Sequence, residues 1–399
     1  MTRLKPEERF ALLYVVVFLA GLMLAGYALG AGCLADGGLL SQSTNCLGMP
    51  TIPKFFDPTI VYWHGAPFLF VNDGNELVTW RLTNQLHPTP ASGSNFNIKN
   101  QGDSDYDLMN YSLCDGCRYG VAAFKTGMLL WDAGTGNSPT FAAREFYQGA
   151  AASQAGAFTF MSGSQEYLLA NGLPGDIGPD GTLYRFNGPA DIEPVAGVDA
   201  DCGIGDVVNG VRLGDKLLIG YADNWLHLFR VTDGGAAYMG KTQIRAFMGR
   251  GKTFSVRGNV GVSAFGNEAA KLWNLQDPAN PVQIGSVSGA YFNSAAISGD
   301  FLFMNKGMNA NAGRTYYLGG PGIVPMDQEF WSPDNPWNNH AECEWQTGAV
   351  FSPDGTALYL ARYAVLQVID FSACPPPEPP LFADGFESGD ASAWSATAP

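Results

Sequence analysis

Beyond Gly32 the chain alternates short apolar runs with polar turns, and long helical periodicity is absent. Residues 271–287, KLWNLQDPANPVQIGSV, show the unit: an alternating run, a turn bracketed by prolines, and a second short apolar run. The pattern recurs in APFLFVND with ELVTWRLT, in EYLLANG with TLYRFNG, and in DKLLIGYADNWLHLFRVTD. It returns in NVGVSAFGNEAAKLWNLQD, in DFLFMNKGMNANAGRTYYLGG and in ALYLARYAVLQVIDF, while CRYGVAAFKTGMLLWDAG fits less closely. Each pair reads as two antiparallel strands, often followed by a more polar strand such as PVQIGSV or EPVAGV. The spacing is irregular, about 40–60 residues, which is the range of propeller blades.

Runs such as FLFV, LLIG and LYLA have no polar face to turn to water, so both of their faces must be buried. Radial stacking of four-stranded sheets supplies both covers. The expected fold is therefore all-β, a propeller of about seven blades (six and eight are the bounds) preceded by one N-terminal hydrophobic helix. The competing arrangement is an irregular pair of β-sandwiches.

The N-terminus changes the picture of location. Arg3, Lys5 and Arg9 precede an uncharged stretch, FALLYVVVFLAGLMLAGYALGAG, from Phe10 to Gly32. It is longer than the usual core of a signal peptide and close to the ~20 residues that span a bilayer. Two readings follow: an export signal cut near Ala28-Leu29-Gly30, or an uncleaved anchor holding the chain to the membrane through residues 10–32. Cys33 after Gly-Ala-Gly is weighed as a lipid attachment site, against which Gly30 stands where an aliphatic residue is expected. Either way the remainder is expected outside the cytoplasm: periplasm, cell surface or extracellular space. The expected organisation is 1–32 signal or anchor, 33–44 linker, 45–374 propeller, 375–380 proline-rich linker (CPPPEPP spans it) and 381–399 tail.

Composition narrows the partners. The formal net charge of −15 disfavours nucleic acid, which needs a basic footprint. Only 15% of residues are charged and 46% are hydrophobic, enough for a large core, and 50 glycines suit many turns. Six cysteines follow the apolar segment and Cys33: Cys46, Cys114, Cys117, Cys202, Cys343 and Cys374. In an oxidising compartment they are disulfide candidates, with fifteen pairings open. Cys46 and Cys374 flank the repeat region, where a bridge would clasp the first blade to the last.

Two stretches carry a family resemblance. LWNLQDPANPVQIGSV, followed by AAISGDFLFM, resembles the LVIVD-type repeat of bacterial surface propellers. VFSPDGTALYLARYAVLQVIDF at 350–371 resembles the last blade of WD40-like and YVTN-type propellers, marked by Phe-Ser-Pro-Asp-Gly. The resemblance covers two blades well. It implies an exported protein that binds, scaffolds or adheres, and it carries no catalytic residues across.

Several motifs have the spacing of known chemistry. Ala246-Phe-Met-Gly-Arg-Gly-Lys252-Thr253 lacks the first glycine of a phosphate loop, and the following FSVRGNVGV reads as strand, so an exposed basic hairpin is expected. Asp103, Asp105 and Asp107 alternate and are the candidate calcium ligands, without the glycine and glutamate of an EF-hand. Cys114-Asp-Gly-Cys117 precedes a strand, which favours a local disulfide over a redox motif. A zinc set of Cys114, Cys117, Cys202 and Cys343 has only half the usual pattern. Cys202 and Cys343 each precede an expected innermost strand, placing Arg118, Asp206, His340 and Trp345 as candidate ligand-binding residues at one channel mouth. His227 alternates with Trp225 and Phe229, as a packed histidine would. The functions consistent with this set are a binding or scaffold protein for a protein or polysaccharide partner, a propeller hydrolase or lyase using acids such as Asp206, Glu342 and Glu344, and a subunit of a self-assembling surface structure.

Overall fold

The computed structural model describes residues 33–374 apart from 43–55, 73–75, 92–95, 98–107, 125–126, 149–155, 174, 189–190, 201, 203–206, 249–251, 267, 289–291, 307–312, 319–322, 327–345 and 363–364. The N-terminal apolar segment and the C-terminal tail thus lie outside the described residues, as do Cys46 and Cys343. Among the described residues no helix is long and apolar enough to cross a membrane.

Seven antiparallel sheets follow one another along the chain. Their innermost strands, numbered here as blades 1 to 7, are Phe56–Trp63, Leu108–Ser112, Ala157–Ser162, Val207–Leu213, Phe254–Arg257, Phe292–Ser298 and Gln346–Phe351. Each blade then steps outward strand by strand, and most neighbouring blades touch through these inner strands. The fold is a seven-bladed β-propeller.

The reason lies in the middle strands. In blade 1, Phe68 and Phe70 point into a cluster shared with Tyr111, Leu129 and Trp131 of blade 2. Leu69 and Val71, one residue out of phase, point the other way to meet Tyr359 and Val368 of blade 7. Blade 7 repeats the device: Leu358 and Leu360 face Phe303 of blade 6, while Ala357, Tyr359 and Ala361 face blade 1. The remaining clusters fill the remaining interfaces, giving one apolar core per pair of neighbours. Period-two alternation with both phases apolar is what the unbroken runs encode.

The motifs behind the family resemblance form turns. Ala270–Asn274 and Val282–Val287 pair as outer strands of blade 5, with Trp273 opposite Gln283. Between them Asp277 accepts from the Ala279 amide at 3.1 Å and from Asn280 Nδ2 at 2.8 Å. In Phe351-Ser-Pro-Asp-Gly355, Asp354 Oδ1 accepts from Ser352 Oγ at 2.7 Å and from the Thr356 amide at 2.9 Å. Gly355 supplies the positive φ of 76° that this tight turn requires.

Two expectations about closure are corrected. Residues 33–44, expected as a linker, contain the strand Ala35–Gln42, which pairs antiparallel with Val365–Asp370 and completes blade 7 as its outermost strand. Cys374 is bonded to Cys33, not to Cys46. That bond also gives Cys33 a structural partner in place of the lipid weighed for it. The first described residues thus finish the last sheet, and a disulfide with a sequence separation of 341 residues pins them there.

Such a bridge constrains the unfolded chain through a very long loop, a contribution of about 2–5 kcal/mol. Cys33→Ser, Cys374→Ser and the double variant should lower the denaturation midpoint by one common amount, read by urea unfolding under non-reducing conditions. Unequal or additive losses would count against a shared bond.

Candidate functional site

Strand direction divides the propeller into two loop faces. Loops that enter an inner strand share one face with the turns between second and third strands. On that face the Val207 amide donates to Asn171 Oδ1 at 2.7 Å, and the Ala200 amide to Asp180 Oδ2 at 2.7 Å. Loops leaving an inner strand lie on the opposite face, where the Gly116 amide meets the Tyr62 carbonyl at 3.4 Å and the Arg118 amide meets Glu166 Oε1 at 3.0 Å.

This division moves Arg118. It leaves an inner strand, so it lies on the face opposite the loop that carries Cys202, and it does not share a mouth with that loop. Its guanidinium is bound in a fork to Asp132, Nε to Oδ1 at 3.1 Å and Nη2 to Oδ2 at 2.9 Å, and that bond raises its pKa further. Burial raises the pKa of Glu166, although two backbone amides, Arg118 and Tyr119, donate to its carboxylate. Arg118 is thus a buttress between blades 2 and 3. The other candidates, Asp206, His340 and Trp345, fall outside the described residues, as do Glu342, Glu344 and the calcium candidates Asp103, Asp105 and Asp107. Cys114 is bonded to Cys117, on the Arg118 face. That removes both from the four-thiol zinc set.

The axis itself is crossed by side chains. Asn110 of blade 2 donates through Nδ2 to the Val208 carbonyl of blade 4, and Asn209 Nδ2 donates back to Asn110 Oδ1 at 2.6 Å. Both asparagines are buried. Ser112 and Thr159 join hydroxyls at 3.0 Å between blades 2 and 3. Gly156 fits this crowding because a Cβ there would stand 1.9 Å from the Val208 carbonyl oxygen. Lys252, expected on an exposed basic hairpin, instead reaches from blade 5 into the channel. Its ammonium lies 3.4 Å from Thr59 Oγ1 and 5.9 Å from the Tyr111 ring centroid. The strand Phe254–Arg257 follows it, as expected, and so excludes a phosphate-loop helix. Tyr111 donates to the Asp57 carbonyl at 2.5 Å, and burial pushes its phenol well above the usual range.

A second constellation gathers on the face that receives Cys202. Asp223 sits in the turn after Lys216–Tyr221, where Asn224 takes a positive φ of 61°. Its Oδ1 accepts the Trp225 amide at 2.9 Å, which leaves Oδ2 to meet Lys241 Nζ at 2.7 Å and His227 Nε2 at 3.3 Å. His227, fully buried on Trp225–Thr232, has Cys202 Sγ 3.5 Å from Nε2 and the Tyr238 hydroxyl 3.1 Å from Nδ1. Tyr238 also donates to the Ala200 carbonyl at 3.1 Å. Asp180 holds the Cys202 loop by accepting the Ala200 and Cys202 amides. Cys202, a disulfide candidate by sequence, remains a thiol.

Electrostatics fit a packed histidine. Burial lowers the pKa of His227, with the Asp223 charge opposing. Burial alone would raise Asp223, but Lys241 and the Trp225 amide bring it below the ordinary carboxylate value. A relay triad would need the acid and the nucleophile on different ring nitrogens; here both Asp223 and Cys202 face Nε2. The geometry therefore gathers three donor atoms, sulfur, nitrogen and oxygen, within 4.8 Å of one another. Sequence reasoning placed His227 in a strand core correctly but did not link it to Cys202. The available signal was the Asp223–His227 spacing across a turn and strand start.

The sequence matches no family model and none of the curated proteins. The LVIVD-like and YVTN-like resemblance therefore stands on the two quoted stretches.

The buried end of Lys252 gives a pH signature. Desolvation lowers its pKa from the ordinary 10.5, with Asp57 opposing. Between the lowered folded value and 10.5 the unfolded chain holds more protons, so folding gains stability as pH rises. Wild type should therefore gain stability relative to Lys252→Met between neutral pH and about pH 10, compared by urea midpoints. A constant difference, or a trend of the opposite sign, would contradict the burial of that ammonium.

Proposed function

We propose that the chain is an exported binding and scaffold propeller, of the LVIVD- and YVTN-like kind, that presents its loop faces to a protein or polysaccharide partner. The carrying observation is the filled axis. The Asn110–Asn209 pair and Lys252 occupy the central channel as structural cross-links, which leaves the rims and the blade edges as the surfaces available for recognition. Propellers commonly bind through such rims, because loops there vary without disturbing the blades.

Export is supported by two disulfides, Cys33–Cys374 and Cys114–Cys117, which suit an oxidising compartment. It is also supported by the basic and then apolar N-terminus, which would either tether the propeller or release it after cleavage.

The test combines location with partner. The full chain is expressed in a bacterial host with its N-terminus intact, and intact cells are treated with external protease before and after the outer envelope is opened. The chain should be degraded while a cytosolic marker survives. Alkylation of the denatured, unreduced protein should leave Cys33, Cys114, Cys117 and Cys374 unmodified. Labelling of those four, together with protection from protease, would refute export. Incubation of the purified propeller with surface polysaccharides should show retention without shortening; release of shortened chains would favour the hydrolase or lyase reading instead.

A further inference from the structure

We infer that Cys202, Asp223 and His227 form a site for a borderline-soft divalent cation of the zinc class, independent of the partner proposed above.

The argument begins with protons. Tyr238 spends its hydroxyl hydrogen on the Ala200 carbonyl at 3.1 Å, so its oxygen accepts from Nδ1–H of His227, also at 3.1 Å. The network thus assigns the proton to Nδ1, and Nε2 presents a lone pair. That lone pair faces Asp223 Oδ2 at 3.3 Å and Cys202 Sγ at 3.5 Å. Without an ion the Cys202 thiol proton can face Nε2 and the Lys241 ammonium meets Oδ2 at 2.7 Å, so the three atoms form a ready ligand set once that proton and that ammonium leave. A tetrahedral zinc ion, with bonds of about 2.3 Å to sulfur and about 2.0–2.1 Å to nitrogen, sets those two atoms about 3.5 Å apart. The sulfur–nitrogen separation matches, and the wider sulfur–carboxylate side, within 4.8 Å, closes as the ion binds.

The surroundings are those of a held site. Tyr238 orients the ring through the nitrogen that would not bind metal, the usual outer support of a histidine ligand. The Trp225 amide fixes Asp223 Oδ1, so Oδ2 alone turns inward. Asp180 pins the backbone on either side of the Cys202 loop entry. Sulfur, imidazole and one carboxylate select a borderline-soft ion over calcium or magnesium, which want oxygen shells.

Binding has a simple balance. The ion displaces the thiol proton of Cys202, which leaves to solvent as sulfur becomes a thiolate ligand. Lys241 Nζ, now 2.7 Å from Asp223 Oδ2, swings away toward solvent beside the Trp225 ring, whose centroid lies 5.2 Å from it. Three protein ligands leave a fourth position for water or an exogenous donor.

The test uses the full chain with its disulfides intact, stripped by chelator and titrated with Co²⁺. One equivalent should produce a sulfur-to-cobalt charge-transfer band that Zn²⁺ displaces and excess Ca²⁺ does not. Cys202→Ser should abolish the band, and Asp223→Asn should weaken binding about 10-fold or more. Lys241→Met, which removes the resident competitor at a half-exposed position, should strengthen it. The assignment is overturned if wild type takes up no ion or if Cys202→Ser keeps the band. Should Cys202→Ser fail to fold, unchanged affinity in both Asp223→Asn and Lys241→Met would overturn it equally.

Discussion

A strand that is apolar on both faces cannot rest in an open two-layer protein, and this constraint organises the whole molecule. Phe68 and Phe70 need one neighbour, and Leu69 and Val71 need another. Every blade is in that position, and a closed ring leaves none of them with an exposed greasy face. The ring then imposes its own requirement: the last sheet must meet the first, and something must hold them. Here the outermost strand of blade 7 comes from the start of the described chain, and Cys33–Cys374 locks the junction.

Closing the ring crowds seven inner strands around one axis. Polar side chains there lose water and must satisfy one another. Asn110 and Asn209 pair across the space in front of blade 3, Ser112 pairs with Thr159, and Lys252 enters from blade 5. The axis becomes part of the scaffold. Chemistry is left to places where loops from two blades overlap, and the Cys202 loop over the Asp223 turn is such a place: one blade boundary supplies the sulfur, and blade 4 supplies the carboxylate and the imidazole.

The strands and the blade number could be read because two-sided burial leaves unbroken apolar runs and because turns carry Asp, Asn and Gly at fixed offsets. QDPANP and FSPDG are turns in the structure as they are in the text. The closing strand could not be read. ADGGLLSQ is glycine-rich and alternates poorly, since an outermost strand needs only one covered face, and its pairing is interrupted by register shifts. The Cys374 partner was missed for the same reason: with the closing strand read as linker, nothing placed Cys33 beside the last blade. The cluster around His227 was hidden differently. Its three donors lie on a loop, a turn and a strand, and only the meeting of blades 3 and 4 brings the loop over the turn. Arg118 was placed at the wrong end because composition does not report strand direction, whereas counting strands from the inner one does.

The borrowed outermost strand also sets an order of events in time. During synthesis residues 35–42 emerge more than three hundred positions before their partner, Val365–Asp370. Until then blade 7 does not exist, blade 1 has a bare flank, and the early segment has no sheet to join. A nascent chain therefore spends its synthesis with sticky edges on display, the condition under which chains pair with each other instead of with themselves. The bond between Cys33 and Cys374 can therefore close only late, after the final blade has formed.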